Sequence, residues 1–72
     1  MIEKEKTLRA FAEHLIKLRQ QKAYSIRELA SRADLEYSQV QRIEKGKVNF
    51  SFTTLLALAD GLDISSSELL NY

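Results

Sequence analysis

Four residues between positions 37 and 42 carry side chains suited to the edge of a nucleic-acid base: Tyr37, Ser38, Gln41 and Arg42. On a helix they stand three to four apart in two adjacent rows and share one face. Arg can grip guanine with paired hydrogen bonds and Gln can grip adenine, in a major groove wide enough to admit a helix. Tyr37 has two readings, a contact with a thymine methyl or phosphate, or an idle exposed ring. Lys45 and Lys47 follow, and a lysine is a point charge that suits phosphate. Asn49 can donate to phosphate where backbone N–H groups open a further helix, and Arg27 is a fourth candidate for such a contact. The expected interface thus has base contacts from Tyr37, Ser38, Gln41 and Arg42, and phosphate contacts from Arg27, Lys45, Lys47 and Asn49.

The elements that must position these residues are written around them. Ser25 followed by Glu28 is a capping box. It opens a short helix, Ile26–Ala33, with Leu29, Ala30 and Ala33 on its buried side. Asp34 breaks the pattern, and Leu35 is placed to plug the gap between two helices. The second helix spans about Tyr37 to Lys45, with Val40 and Ile43 inward, and Gly46 ends it as a left-handed residue. Upstream, Leu8, Phe11, Ala12, Leu15 and Leu18 define one face of a helix from about Thr7 to Gln21. Met1–Lys6 alternates charges and reads as frayed or as a loose first turn, and Glu3 and Glu5 argue against its forming an arm on DNA. Tyr24 is expected to pack as a hydrophobic staple against Leu29 or its neighbours. Downstream, Ser51 caps a helix over about Phe52–Leu62, with Leu55, Leu58, Ala59 and Leu62 inward and Gly61 as its stop. Leu56 falls off that stripe. Ser65 and Glu68 form another capping box before a short helix containing Leu69 and Leu70.

In this order, Ser25, Glu28-Leu29-Ala30, Leu35, Val40 and Arg42-Ile43-Glu44-Lys45-Gly46-Lys47 resemble the helix-turn-helix of the lambda-repressor-like family, also called the xenobiotic-response-element type. The resemblance runs from about Leu8 to Leu70. It implies an all-α, compact five-helix domain with the helix-turn-helix proper at about 25–46, acting as a sequence-specific DNA-binding transcriptional regulator. It also implies that Arg19 pairs with Glu44 and ties the first helix to the recognition helix, a planar fork offered to a carboxylate. The alternative for Arg19 is a free surface residue or a phosphate contact.

Four positions depart from the family pattern. Asp34 stands in the turn where Gly is usual, at a cost of about 1 kcal/mol for a left-handed Asp. Glu36 replaces a Ser or Thr cap; its charge suits a helix N-terminus but repels phosphate. Ile26 replaces a Gln that contacts phosphate, and Phe50 replaces a Pro.

Length and composition bound the rest. With 72 residues the chain is expected to be one domain, 1–72, burying only about 60% of its unfolded surface. It has no Cys and no Pro, so neither a disulfide nor a thiolate metal site is available. His14 is the only imidazole and reads as a surface or half-buried residue, so no metal, cofactor or small-molecule ligand is expected. No apolar run approaches the ~18 residues of a membrane span, and the N-terminal MIEKEKT lacks the hydrophobic region of a signal peptide, so a cytoplasmic protein is expected. The net charge is only +1, but it is segregated. Residues 1–47 hold all eleven Lys and Arg against seven acids, which leaves +4, whereas residues 48–72 hold three acids and no base. A basic half that contains the motif is the footprint of a DNA reader.

The expected partner is double-stranded DNA with a near-palindromic operator, bound by a homodimer, because one small module gains limited specificity and two-fold dimers are the commonest oligomers. The apolar surplus for that interface lies at Phe50, Phe52, Leu56, Leu70 and Tyr72. No sensor or catalytic domain is expected. An enzyme is disfavoured, because no base stands beside a nucleophile. The competing function is a helical protein-interaction module, for example an antitoxin-like partner, that has lost or weakened DNA binding; Glu36, Ile26 and the low net charge feed it. An interaction module would more often carry an apolar patch on the outward face of helix 37–45.

Overall fold

Helix α1 runs from Lys4 to Gln21 in the computed structural model, which describes residues 1–72. It begins before the apolar stripe does, at Lys4 rather than near Thr7. Glu3 is the reason: its carbonyl accepts both the Thr7 N–H at 2.9 Å and the Thr7 hydroxyl at 2.8 Å. Glu5 in the first turn also suits the helix dipole. Lys4–Lys6 are therefore helical and not frayed. At the other end Ala23 takes a left-handed φ of 60°, with the Tyr24 N–H returning to the Arg19 carbonyl. That is a costly conformation for a residue with a Cβ, about 1–2 kcal/mol.

Helix α2, Ile26–Ala33, has the expected bounds and both halves of the Ser25–Glu28 capping box, each at 3.0 Å. Asp34 ends it in the left-handed region with φ 56°, the geometry foreseen for it. Helix α3 spans Tyr37–Glu44, Lys45 is its C-cap, and Gly46 turns left-handed with φ 70°. Helix α4 spans Phe52–Gly61 behind its Ser51 cap, and α5 spans Ser66–Leu69 behind the Ser65–Glu68 box, with Leu70 as its cap.

One core joins the five helices. Phe11 and Leu15 of α1, Leu29 and Ala30 of α2, Val40 and Ile43 of α3, Leu58, Ala59 and Leu62 of and just after α4, and Leu69 of α5 are all buried together. Each fully buried Leu or Val contributes about 1.5–3 kcal/mol over an exposed one. Leu35, Ile26 and Tyr24 pack partly buried against this core. Leu55 is half-buried and packs against this core from the first turn of α4.

Gly61 is not the stop. It is the last helical residue and is buried, and a Cβ there would lie 3.0 Å from both the Cβ and the N of Ala33. Its missing side chain lets α4 cross α2 at close range. The left-handed turn that follows α4 belongs to Asp63, with φ 57°. The C-terminus folds back on α1: Tyr72 stacks on His14 at 4.9 Å between ring centroids, and the His14 Nε2 lies 3.4 Å from the Glu68 carbonyl. The eleven bases all lie on α1–α3 and the loop through Lys47, while α4 and α5 carry none. No helix is long and apolar enough to cross a membrane.

Candidate nucleic-acid interface

Helix α3 lies across the molecule with Val40 and Ile43 buried, and this turns Tyr37, Ser38 and Arg42 outward. Gln41 shares that side but is half-buried. The four expected base-contact residues are thus brought onto one face, with Gln41 lowest on it. Arg42 has no carboxylate partner, since the one ion pair of the molecule is made elsewhere. Its guanidinium is free for a ligand.

That ion pair is Arg19–Glu44. The Arg19 Nε donates to Glu44 Oε2 at 2.7 Å and Nη2 donates to Oε1 at 3.1 Å, a bidentate fork. The third arm, Nη1, donates to the Tyr24 carbonyl at 2.8 Å. The two side chains are only 14% and 6% exposed, so water competes little for these bonds. One guanidinium therefore fastens the end of α3 to α1 and to the strained turn after α1. Arg19 is neither free nor available to phosphate.

The other end of α3 is held differently. Glu36 is the N-cap, and its N–H is taken by the Gln39 side-chain oxygen at 3.0 Å, the reach-back half of a capping box. Gln39 had no role from its position alone. The signal was present, because a residue three after the cap that is Glu or Gln does this work, but the unusual Glu36 masks the pattern. Over the start of α3, the Arg27 guanidinium lies 4.9 Å from the centre of the Tyr37 ring. Tyr37 is thus neither idle nor free: a cation from α2 covers one face of it. A similar pair, Arg32 at 4.3 Å over Tyr24, pins the outer side of the α1–α2 turn.

The phosphate candidates fall on three sides of this face. Arg27 is at its α2 edge, exposed and engaged with Tyr37. Lys45 and Lys47 are exposed at the far end. Asn49 lies in a cleft with Arg42, Gln39 and Ser51, between α3 and the start of α4. Its Oδ1 accepts the Phe50 N–H at 3.1 Å, which leaves its NH2 group to donate outward. Ile26, where a phosphate-binding Gln would sit, is instead spent on the core.

The apolar candidates separate into two sets. Phe50 is half-buried with its ring 5.2 Å from that of Phe11, and Tyr72 lies on His14 and edge-on to Phe11 at 6.3 Å. Phe52, Leu56 and Leu70 are 70%, 40% and 51% exposed, and Tyr72 keeps 57% of its surface exposed despite its ring contacts. This exposed apolar surface belongs to the α4–α5 half, and the outward face of α3 is polar. No group of three or more His, Cys, Asp or Glu side chains converges to hold a metal.

Comparison with known proteins gives the same architecture. A family model described as helix-turn-helix matches residues 15–69. The crystal structure of the restriction-modification controller protein C.AhdI from Aeromonas hydrophila superposes with a TM-score of 0.84 at 38% identity, over 88% of this chain and 96% of that one. The wild-type restriction-modification controller protein C.Esp1396I matches with a TM-score of 0.82 at 22% identity, over 88% of this chain and 82% of that one, a likeness of fold. No curated protein sequence matches the chain significantly.

Proposed function

The chain belongs to the helix-turn-helix family and is a DNA-binding transcriptional regulator; from that premise we propose that it places α3 in the major groove of a near-palindromic operator and works there as a homodimer. The observation that carries this reading is the outward face of α3. Tyr37, Ser38, Gln41 and Arg42 stand together on it, with only the Arg27 guanidinium lying over Tyr37, while the Arg19–Glu44 fork holds the helix that presents them. Arg42 reads a guanine, and Gln41 and Ser38 contact neighbouring base edges or bound water. Arg27, Lys45, Lys47 and Asn49 hold phosphate and set the register. Phe52, Leu56, Leu70 and the exposed side of Tyr72 form the two-fold interface, which leaves Phe50 to the core of each protomer. The protein acts as a single domain in the cytoplasm, without catalysis. Its likeness to a restriction-modification controller supports the same kind of regulatory target.

The test is selection of bound sites from random duplexes at fixed salt, followed by changes in half-site spacing. The half-sites are expected about 34–36 Å apart, so inserting about five base pairs abolishes tight binding by turning one to the opposite side. Arg42→Ala costs about 1–3 kcal/mol on the selected site and relaxes one base position. Binding unaffected by the insertion removes the dimer, and an Arg42→Ala variant with wild-type affinity removes this docking of α3.

A further inference from the structure

The first turns of α1 lie beside the end of the recognition helix, and the two elements enclose an open cleft of about 430 Å³. Lys4 and Arg9 face it from α1, and Lys45 and Lys47 from the end of α3, against one acid, Glu5. We propose that this cleft is a second phosphodiester site, which takes the backbone of duplex DNA outside the bases under α3. The inference rests on the DNA-binding reading and extends its footprint to an element that reads no base.

Several observations converge on it. All four cations are exposed, and none makes an ion pair or a side-chain hydrogen bond, so their charge is unspent. They are also held close together by a contact that tolerates no side chain. At Gly46 a Cβ would stand 3.0 Å from the Arg9 Cα and 3.1 Å from its Cγ. Gly46 therefore does more than end α3: it lets the backbone of α1 approach until cations from two helices line one cleft. Lys4 sits in a formed helical turn, secured by the Thr7 hydroxyl on the Glu3 carbonyl, so its backbone is already ordered and only its side chain loses freedom on binding. The cleft is continuous with the proposed base-reading face, because Lys45 follows Gln41 and Arg42 by one helical turn. Separated like charges with a single acid among them suit a polyanion that passes along the cleft, since each phosphate met releases its counterions.

Glu5 makes the test two-sided. The measurement is the affinity and salt slope of the full chain on two duplexes, one trimmed to the bases under α3 and one extended on both flanks. On the extended duplex, Lys4→Gln and Arg9→Gln each weaken binding roughly fivefold and lower the salt slope by about one, on preferred and scrambled sequences alike. Glu5→Gln strengthens binding there. On the trimmed duplex all three match wild type. Arg9 touches Gly46, so its variant is checked by thermal melting, and the exposed Lys4 gives the same answer without that contact. If both Gln variants keep the wild-type slope on the extended duplex while Arg42→Ala still loses the selected site, the cleft is no DNA site and the base-reading face stands. If inorganic phosphate alone titrates the amides of Lys45–Lys47 while the variants leave DNA affinity unchanged, the cleft takes a free anion and the proposal falls.

Discussion

At its C-terminal end α3 is fastened by Glu44, whose carboxylate takes two N–H groups of a nearly buried Arg19, and by Gly46 pressed against the backbone of Arg9. At its N-terminal end the fastenings are the Gln39 side chain on the Glu36 N–H and the Arg27 guanidinium over Tyr37, all at the surface. The difference is one of dielectric. Bonds shielded from water hold a fixed geometry, whereas exposed ones exchange with solvent at small cost. The helix is anchored just beyond Gln41 and Arg42 and adjustable where Tyr37 and Ser38 would meet bases. A rigid hinge and a pliant tip let one helix keep its docking angle while its first turn settles on the bases.

The largest effect that can break this comparison is at the anchor. Removing one member of a buried charged pair strands the other, so Glu44→Ala costs about 3 kcal/mol of stability. Arg19→Ala costs at least as much, because it also releases the Tyr24 carbonyl. The double variant loses clearly less than the sum in a urea denaturation cycle, and strict additivity would show that the two charges do not depend on each other. Next comes Gly46→Ala, expected to cost about 2 kcal/mol from left-handed strain together with the Cβ driven onto Arg9. A melting temperature equal to wild type would mean that α1 and the end of α3 are not in forced contact. The smallest effects are at the tip. Gln39→Ala and Arg27→Ala each cost about 0.5 kcal/mol of stability, the scale of an exposed cap or cation–π pair. If either destabilises as much as Glu44→Ala, the two ends are held alike and the contrast fails.

The elements that lead into α3 were legible in the residues alone, whereas little of what fastens either of its ends was. The box of Ser25 and Glu28, the bounds of α2 and the left-handed turn at Asp34 follow from local chemistry, which a sequence states directly. The Arg19–Glu44 pair joins residues far apart in the chain and came from resemblance to a family, not from spacing. The start of α1 was misplaced because the apolar stripe begins at Leu8, whereas the helix is begun by Glu3 and Thr7, which carry no stripe. Gly61 was read as a stop because glycine has two uses, and only the position of Ala33 on another helix distinguishes them. Arg27 over Tyr37, and Phe50 and Tyr72 around Phe11, are tertiary meetings of side chains with no periodic signature. Lys4 and Arg9 alternate with acids along the chain and so read as solvated surface, because their neighbours Lys45 and Lys47 are supplied by folding.

The placement of every base on α1–α3 and the loop through Lys47, with only acids on α4 and α5, makes the molecule an electric dipole as well as a folded one. Near a polyanion a dipole feels a torque before it feels a contact. At physiological salt that field fades over about 8 Å, less than the 33 Å length of the molecule. The torque therefore acts only in the last stage of approach, as a final rotation that brings the basic half forward and turns the acidic half to solvent. Collisions that begin with the wrong side foremost are repelled and not trapped. The rate of productive encounter then falls with ionic strength even for duplexes that carry no operator.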